Sequence, residues 1–167
     1  MEYCRVLAID AGTRNFAYCV TDNNSWQAPL IWKSEDLWAP RPGRSIKPSI
    51  EDIVEITHNW CMRNRDMIRS CTLIVLERQM RKSFIVMNTV IQALFYDRTK
   101  VVHPMTVAQV FKLPKTRNEK KAATVEMCKR NCVMPVEHLK QDDLADAWMY
   151  CIWGMIQKNA FSMKSLL

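Results

Sequence analysis

The chain has 167 residues, 49% of them hydrophobic, which is enough to bury a core. This composition excludes a disordered chain, and no apolar run reaches the roughly 20 residues that a membrane span requires. The formal charge of +7 fits a phosphate-rich partner, although many ordinary proteins are as basic. The seven cysteines are scattered and odd in number, which indicates a reducing, intracellular compartment. We therefore expect one soluble domain over residues 1–167, with no membrane partner.

The first third of the chain predicts a meander of three strands. Apolar residues over 5–10, 16–21 and 30–33 indicate the strands, and turn-forming residues separate them. The proline-rich stretch 38–48 predicts an irregular surface loop. Ser49 then has the position of an N-cap, and we expect the helix that follows it to extend to about Arg69.

The remainder of the chain alternates between strands and helices. Strand patterns occupy 72–76 and a short segment from 101 to about Pro104, and helix patterns occupy 83–95, 118–132 and 142–157. In the first of these helices the residues expected to face inward are Ile85, Val86, Val90, Ile91 and Leu94. The pattern predicts an α/β fold with a five-stranded mixed sheet, three antiparallel strands followed by two parallel ones, flanked by helices.

Four acidic residues carry the functional prediction. Asp10 and Glu77 each directly follow an apolar strand, where an unpaired carboxylate is costly for stability. The first and fourth strands usually pair in such a sheet, so these two acids would meet at neighbouring strand ends. Asp143 and Asp146 are three residues apart, so they share one face of the last helix. Together the four carboxylates would repel one another unless cations neutralise them.

Oxygen ligands without accompanying histidine or cysteine favour Mg²⁺ or Mn²⁺ over zinc or copper. Two divalent ions would bring the charge of four carboxylates close to zero. Two ions per active site also suit phosphodiester hydrolysis, in which one activates water and the other stabilises the leaving 3′ oxygen. The four acids therefore predict a metal-dependent nuclease, with the same residues serving as catalytic residues and metal ligands.

Three motifs, in segments 9–15 (IDAGTRN), 76–83 (LERQMRKS) and 141–147 (QDDLADA), carry a resemblance to a known family. The sequence resembles the RuvC-type Holliday junction resolvases of the RNase H-like superfamily, above all the branch found in poxviruses and other large DNA viruses. This resemblance implies an RNase H-like fold, a homodimer, two Mg²⁺ ions per site and paired symmetric cuts across four-way DNA junctions. It also implies that Asp10, Glu77, Asp143 and Asp146 are the metal ligands, with Asp10 bridging both ions.

The acid pair of that family is spaced three residues apart, which selects Asp143 over its neighbour Asp142. We expect Asp142 to point away from the site and to act as an N-cap. The Glu-Arg-Gln block at Glu77 is also similar to that of fungal mitochondrial junction-cutting enzymes. The compartment therefore stays open between the infected-cell cytoplasm of a viral protein and the mitochondrion.

Basic residues in two segments are candidates for DNA binding. Arg78, Arg81 and Lys82 directly follow Glu77 and would hold the backbone beside the scissile phosphate, although a solvated loop is the alternative. Gln79 could hydrogen-bond a base or sugar edge, and Phe84 is a candidate wedge near the branch point. The densest positive run supplies further candidate phosphate contacts, or else a solvated face; the candidates in it are Lys115, Arg117, Lys120 and Lys121.

Other readings of the motifs lead to different functions. The Asp-Ala-Gly-Thr segment at Asp10 looks like a phosphate loop of sugar kinases and actin-like ATPases, but no second such loop follows, so we expect no nucleotide cofactor. An RNase H-like nuclease acting on flaps, other branched DNA or RNA–DNA hybrids would use the same metal site. A non-catalytic junction-binding module is also open, although acids that repel phosphate would not help such a module.

Overall fold

A computed structural model describes residues 3–39, 47–132 and 141–163 of the chain. The strands are β1 (Arg5–Asp10), β2 (Phe16–Asp22), β3 (Ile31–Glu35), β4 (Leu73–Glu77) and β5 (Thr99–Val102). The helices are α1 (Ile50–Arg63), α2 (Arg65–Arg69), α3 (Lys82–Leu94), α4 (Pro104–Val110), α5 (Arg117–Asn131) and α6 (Gln141–Gln157), with a short 3₁₀ turn over Tyr96–Arg98. The loop predicted over 38–48 lies largely outside the described residues. No helix within the described ranges is long and apolar enough to cross a membrane.

The five strands form one mixed sheet in the order β3-β2-β1-β4-β5. Strands β1, β2 and β3 pair antiparallel, and β4 and β5 add in parallel to the other side of β1. The predicted arrangement of three antiparallel strands followed by two parallel ones is confirmed. Strand β1 is central, so its last residue lies beside strands on both sides.

Side chains along the central strands alternate between the two faces of the sheet, as strand geometry requires. Leu7 and Ile9 of β1 pack into a core with the first three helices, whereas Val6 and Ala8 pack into a second core dominated by α6. Both faces are therefore covered, which explains why the strands are almost wholly apolar.

Helix α6 is the most buried of the helices in the part of the chain that the structure describes. Every residue from Leu144 to Met155 is buried except Asp146. Gly154 allows a close approach to the sheet, because a Cβ atom there would lie 2.9 Å from Val75 Cγ2 and 3.0 Å from Val6 Cγ1. The helix can therefore lie directly against β1 and β4.

Several helices depart from the predicted boundaries. The helix expected over about 50–69 is divided at Asn64 into α1 and α2, after a start at Ser49 that has the predicted cap. Helix α4 was not predicted; it starts at Pro104, with the His103 ring accepting a hydrogen bond from the Met105 amide at 3.2 Å.

The inward face of α3 differs from the prediction. Ile91 is buried as expected, but Ile85 and Leu94 are 47% and 38% exposed, and Met87 and Asn88 take the inward positions instead. Asn88 faces inward because its Nδ2 atom donates to the Glu77 carbonyl at 2.7 Å, at the end of β4. A polar anchor therefore sets the rotation of this helix.

Candidate active site

Strand register brings Asp10 and Glu77 together. They are the last residues of β1 and β4, which run parallel with Ile9 opposite Leu76. By the two-residue period, Asp10 shares its sheet face with Ala8, and Glu77 shares its face with Val75. Ala8 and Val75 both belong to the core on the α6 side. The two carboxylates therefore lie at the same edge of the sheet and on the face that α6 covers.

Helix α6 supplies the other two acids, Asp143 and Asp146, from its first two turns. Two tryptophan hydrogen bonds hold this end of the helix in place. Trp32 Nε1 donates to the Leu144 carbonyl at 2.8 Å, and Trp148 Nε1 donates to the Trp26 carbonyl at 2.8 Å. The residues following Asp143 are therefore fixed to β3 and to the turn that precedes it.

All four acids line one cleft of about 720 Å³. The candidate DNA-binding residues that also line this cleft are Arg78, Gln79, Arg81, Phe84, Lys115, Arg117, Lys120 and Lys121. Lys82 is the exception among the predicted residues, because it is exposed at the start of α3 and does not line the cleft. The cleft thus combines an acidic floor with basic side chains from two separate segments.

The pKa values of the acids show how strongly they interact. Burial raises the pKa of Asp10 well above its usual range, and the charges of Glu77, Asp146 and Asp143 raise it further. Burial, followed by the charge of Glu77, raises the pKa of Asp146 to about 7, against the opposing effect of Lys121. Carboxylates that cannot all ionise together provide a site that favours a cation.

Glu77 differs from Asp10 and Asp146 because the largest effect opposing its pKa rise comes from a tyrosine hydroxyl. Burial raises its pKa, but the interaction with the Tyr150 hydroxyl and the positive charge of Lys120 oppose that rise. Tyr150 lies four residues after Asp146 and seven after Asp143, on the same face of α6, and it lines the cleft. Tyr150 was not predicted from the sequence, although its helical spacing from Asp143 and Asp146 is a signal that could have revealed it.

A divalent metal fits the chemistry of these donors, since all four are hard oxygen ligands whose charges repel one another. Within residues 3–39, 47–132 and 141–163, no three His, Cys, Asp or Glu side chains are close enough together to form a ready-made metal site. The four acids nevertheless line the same cleft, and their oxygen donors suit a divalent ion.

The segment after Glu77 forms one wall of the cleft. The Arg78 amide donates to the Val102 carbonyl at 2.7 Å, which continues the pairing of β4 with β5. Gln79 Nε2 is 3.5 Å from Asp10 Oδ1, a long contact that directs this amide at the acids rather than at open solvent.

Phe84, the predicted wedge, is not a free side chain in the cleft. It is partly buried against the core formed with the first three helices, and the guanidinium of Arg81 lies over its ring, 5.9 Å from the ring centre. The neighbouring apolar side chain of Met80 is 85% exposed and also lines the cleft. Phe84 therefore forms part of the cleft wall.

Asp142 does not act as the predicted N-cap. It lies within α6, and its carboxylate forms an ion pair with Lys121 of α5. Asp142 does not line the cleft, whereas Asp143 does. The cap prediction is wrong because the helix begins before Asp142 and a lysine on the neighbouring helix takes its carboxylate.

Comparison with solved structures identifies proteins of the same fold. The yeast mitochondrial Holliday junction resolvase Ydc2 matches with a TM-score of 0.66 at 17% identity, covering 89% of this chain and 77% of that one. The fowlpox virus resolvase bound to Holliday junction DNA matches with a TM-score of 0.61 at 16% identity, covering 92% and 98%. The fowlpox virus Holliday junction resolvase, in a second structure, gives 0.60 at 13% identity, covering 92% and 99%.

These similarities confirm the predicted RNase H-like fold. No curated protein is significantly similar to this chain in sequence. The model of the family described as "Poxvirus A22 protein" matches residues 5–158, which span nearly all of the sheet and helices described above. The resemblance to the poxvirus branch is thereby confirmed, and the chain belongs to the poxvirus A22 protein family.

Proposed function

We propose that this protein is a structure-selective DNA endonuclease that resolves four-way junctions by paired, symmetric nicks. The observation that carries the proposal is the convergence of Asp10, Glu77, Asp143 and Asp146 in one cleft, beside basic side chains able to hold a DNA backbone. Membership of the A22 family and similarity in fold to a resolvase bound to Holliday junction DNA support the same substrate. We propose that one nuclease domain extends over residues 1–167.

We further propose that the four acids hold two Mg²⁺ ions, or Mn²⁺ in their place. When bound, such ions would activate the attacking water and stabilise the leaving 3′ oxygen. The contribution of the chain is to fix the carboxylates. Asp10 and Glu77 are held by the sheet, and Asp143 and Asp146 are held by a helix packed against that sheet.

The basic residues of the cleft would position the DNA. Arg78 and Arg81 come from the loop after β4, and Lys115, Arg117 and Lys120 come from the segment entering α5. Contacts from both segments would hold the backbone on either side of the scissile phosphate, and they would not depend on base sequence. Gln79 is the side chain of the cleft wall best suited to read a base or sugar edge.

A homodimer follows from the proposed reaction, because two symmetric nicks need two active sites related by a twofold axis. Light scattering should give twice the monomer mass, with or without a junction. A monomer in both states would contradict the paired-nick mechanism. We also propose that the protein acts in infected-cell cytoplasm, where reducing conditions agree with seven cysteines that form no disulfide.

The decisive experiment compares cleavage of an immobile four-way DNA junction with cleavage of linear duplex, flap and RNA–DNA hybrid, in Mg²⁺, Mn²⁺ or EDTA. Paired, metal-dependent nicks that favour the junction are expected. Preference for flap or hybrid would assign the cleft to another nuclease role, and junction binding without cleavage in any metal would favour a non-catalytic module.

Two variants control this experiment. Asp10→Asn removes a carboxylate from the site but keeps the side-chain size, and should reduce the cleavage rate on the order of a thousandfold or more while junction binding persists. Asp66→Asn makes the same chemical change at a highly exposed side chain outside the cleft, and should leave the rate unchanged. Retained cleavage by Asp10→Asn would exclude the proposed metal site.

A further inference from the structure

An ion pair joins the two helices beside the active site. Lys121 of α5 contacts the Asp142 carboxylate of α6, and the two side chains are 35% and 28% exposed. Lys121 lines the cleft, whereas Asp142 stands outside it. The ion pair therefore lies at the rim of the cleft, with Lys121 lining the cleft and Asp142 just beyond it.

Helix geometry directs Lys121 toward the acids. Lys121, Thr124 and Cys128 follow a spacing of three and four residues, so they share one face of α5. Thr124 and Cys128 are 1% and 0% exposed, because this face packs against α6. The lysine continues that buried face at the end where the cleft opens, and its side chain is only partly exposed.

The position creates a conflict between the lysine and a bound metal. Lys121 interacts electrostatically with Asp143 and Asp146, and its charge also acts on Asp10. An ammonium group near several carboxylates would take their oxygens as hydrogen-bond acceptors, and those oxygens are the ones that a divalent ion needs. A lysine at this place would thus compete with the metal unless another acceptor held it.

We propose that Asp142 is a positioning residue that holds the Lys121 ammonium at the rim, so that the lysine remains beside the acids without occupying their oxygens. This inference rests on the proposed metal-dependent function. It gives the first of the two adjacent aspartates a purpose distinct from the second: Asp142 retains the lysine, and Asp143 lies in the cleft. Held in this way, Lys121 stays available to a phosphate oxygen of the DNA.

The test is a double-mutant cycle on Mn²⁺ binding, measured by calorimetry on the full chain without DNA. Asp142→Ala should weaken Mn²⁺ binding about tenfold, the scale expected for neighbouring charged groups that share partners. Lys121→Met should change affinity about twofold in the otherwise unchanged chain, but should recover most of the tenfold loss in the Asp142→Ala background. Equal effects of Lys121→Met in both backgrounds would overturn the proposal.

Two further measurements separate positioning from a purely structural tie. A tie between helices would lower the melting temperature in Asp142→Ala and in the double variant alike, without restored metal affinity in the double variant, and that result would overturn the proposal. Asp142→Asn, which keeps the size and one carbonyl acceptor, replaces Asp142→Ala if the latter fails to fold by circular dichroism. It should give a smaller loss of affinity in the same direction, and no loss would overturn the proposal.

Because no DNA is present, this experiment can fail independently of the proposed function. Non-additive Mn²⁺ binding in a protein that does not cut junctions would support the role of Asp142 and contradict the resolvase. Junction cleavage together with additive effects on Mn²⁺ binding would support the resolvase function and contradict the role of Asp142. Absence of Mn²⁺ binding by the unchanged chain would overturn both the inference and the metal site.

Discussion

The indole nitrogen of Trp32, in strand β3, donates a buried hydrogen bond to the carbonyl of Leu144, at 2.8 Å. Leu144 directly follows Asp143, so an edge strand of the sheet helps to fix the start of the helix that carries two of the four acids. We therefore expect this one hydrogen bond to affect both the stability of the protein and the position of two candidate catalytic acids.

Trp32→Phe should therefore destabilise the protein and reduce cleavage together. Loss of this buried hydrogen bond should cost about 1–2 kcal/mol in addition to the packing lost with the smaller ring. Trp60→Phe is the matched control, because Trp60 is buried in the core on the opposite face and its Nε1 has no hydrogen-bond partner within the described residues. Chemical denaturation and junction cleavage of both variants would check this. An equal loss of stability in the two would contradict the hydrogen-bond argument.

The raised pKa of Asp146 predicts that the metal-free protein loses stability as the pH rises. Its folded-state pKa, about 7, lies above the ordinary value of 3.8. The folded state therefore binds the proton more tightly, and this contribution to stability is full below about pH 4 and is lost as the pH rises through 7. In EDTA, Asp146→Asn should thus match the unchanged protein near pH 4 and be more stable than it at pH 8.

Thermal melts over that pH range would check the prediction. Adding Mn²⁺ at pH 8 should stabilise the unchanged protein more than Asp146→Asn, since the ion binds the ionised carboxylate. If Asp146→Asn were no more stable than the unchanged protein at pH 8 in EDTA, the raised pKa would be wrong.

The basic residues entering α5 should act on DNA without regard to sequence. Lys115→Ala and Arg117→Ala should each weaken binding to every junction and should reduce the slope of log K against log salt by about 1. Lys129→Ala, at an exposed position on the same helix away from the cleft, should change neither quantity. Fluorescence titrations at several salt concentrations would check this. An unchanged slope in the first two variants would place both residues outside the DNA contact.

Gly154→Ala should destabilise the protein although alanine favours helices by about 1 kcal/mol over glycine. The new methyl group would lie 2.9 Å from Val75 Cγ2 and 3.0 Å from Val6 Cγ1, and such overpacking costs about 1–3 kcal/mol. The double variant Gly154→Ala/Val75→Ala should lose less free energy of unfolding than the two single variants lose in sum. Urea denaturation would measure this coupling. If the losses of the two single variants simply add, the new methyl group does not clash with Val75, and α6 has moved away from the sheet.

The meeting of the four acids in one cleft could be predicted because strands and regularly spaced acidic residues leave strong local patterns. An apolar run that ends in a carboxylate identified the ends of β1 and β4, and the spacing of Asp143 and Asp146 placed both on one helix face. These features depend on periods of two and of about three and a half residues, which are visible in a single sequence.

Other features depend on contacts between distant residues and left no such pattern. Eight of the thirteen residues of α3 are apolar, so periodicity alone could not fix its rotation, which the Asn88 hydrogen bond to Glu77 decides. Helix α4 has only seven residues and a histidine as its cap, whereas serine, threonine or aspartate is the usual signal. The partner of Asp142 is a lysine on another helix, so local capping rules pointed to the wrong role.

The position of α6 at the end of the described chain has a consequence for synthesis. Asp10 and Glu77 are made early, but the cleft receives its other two carboxylates only when residues 141–157 leave the ribosome and pack against β1 and β4. A nascent or truncated chain without that helix would carry half of the acids and an uncovered apolar sheet face. Under the proposed function, a protein of this design cannot cut DNA until residues 141–157 have been made and have packed against the sheet.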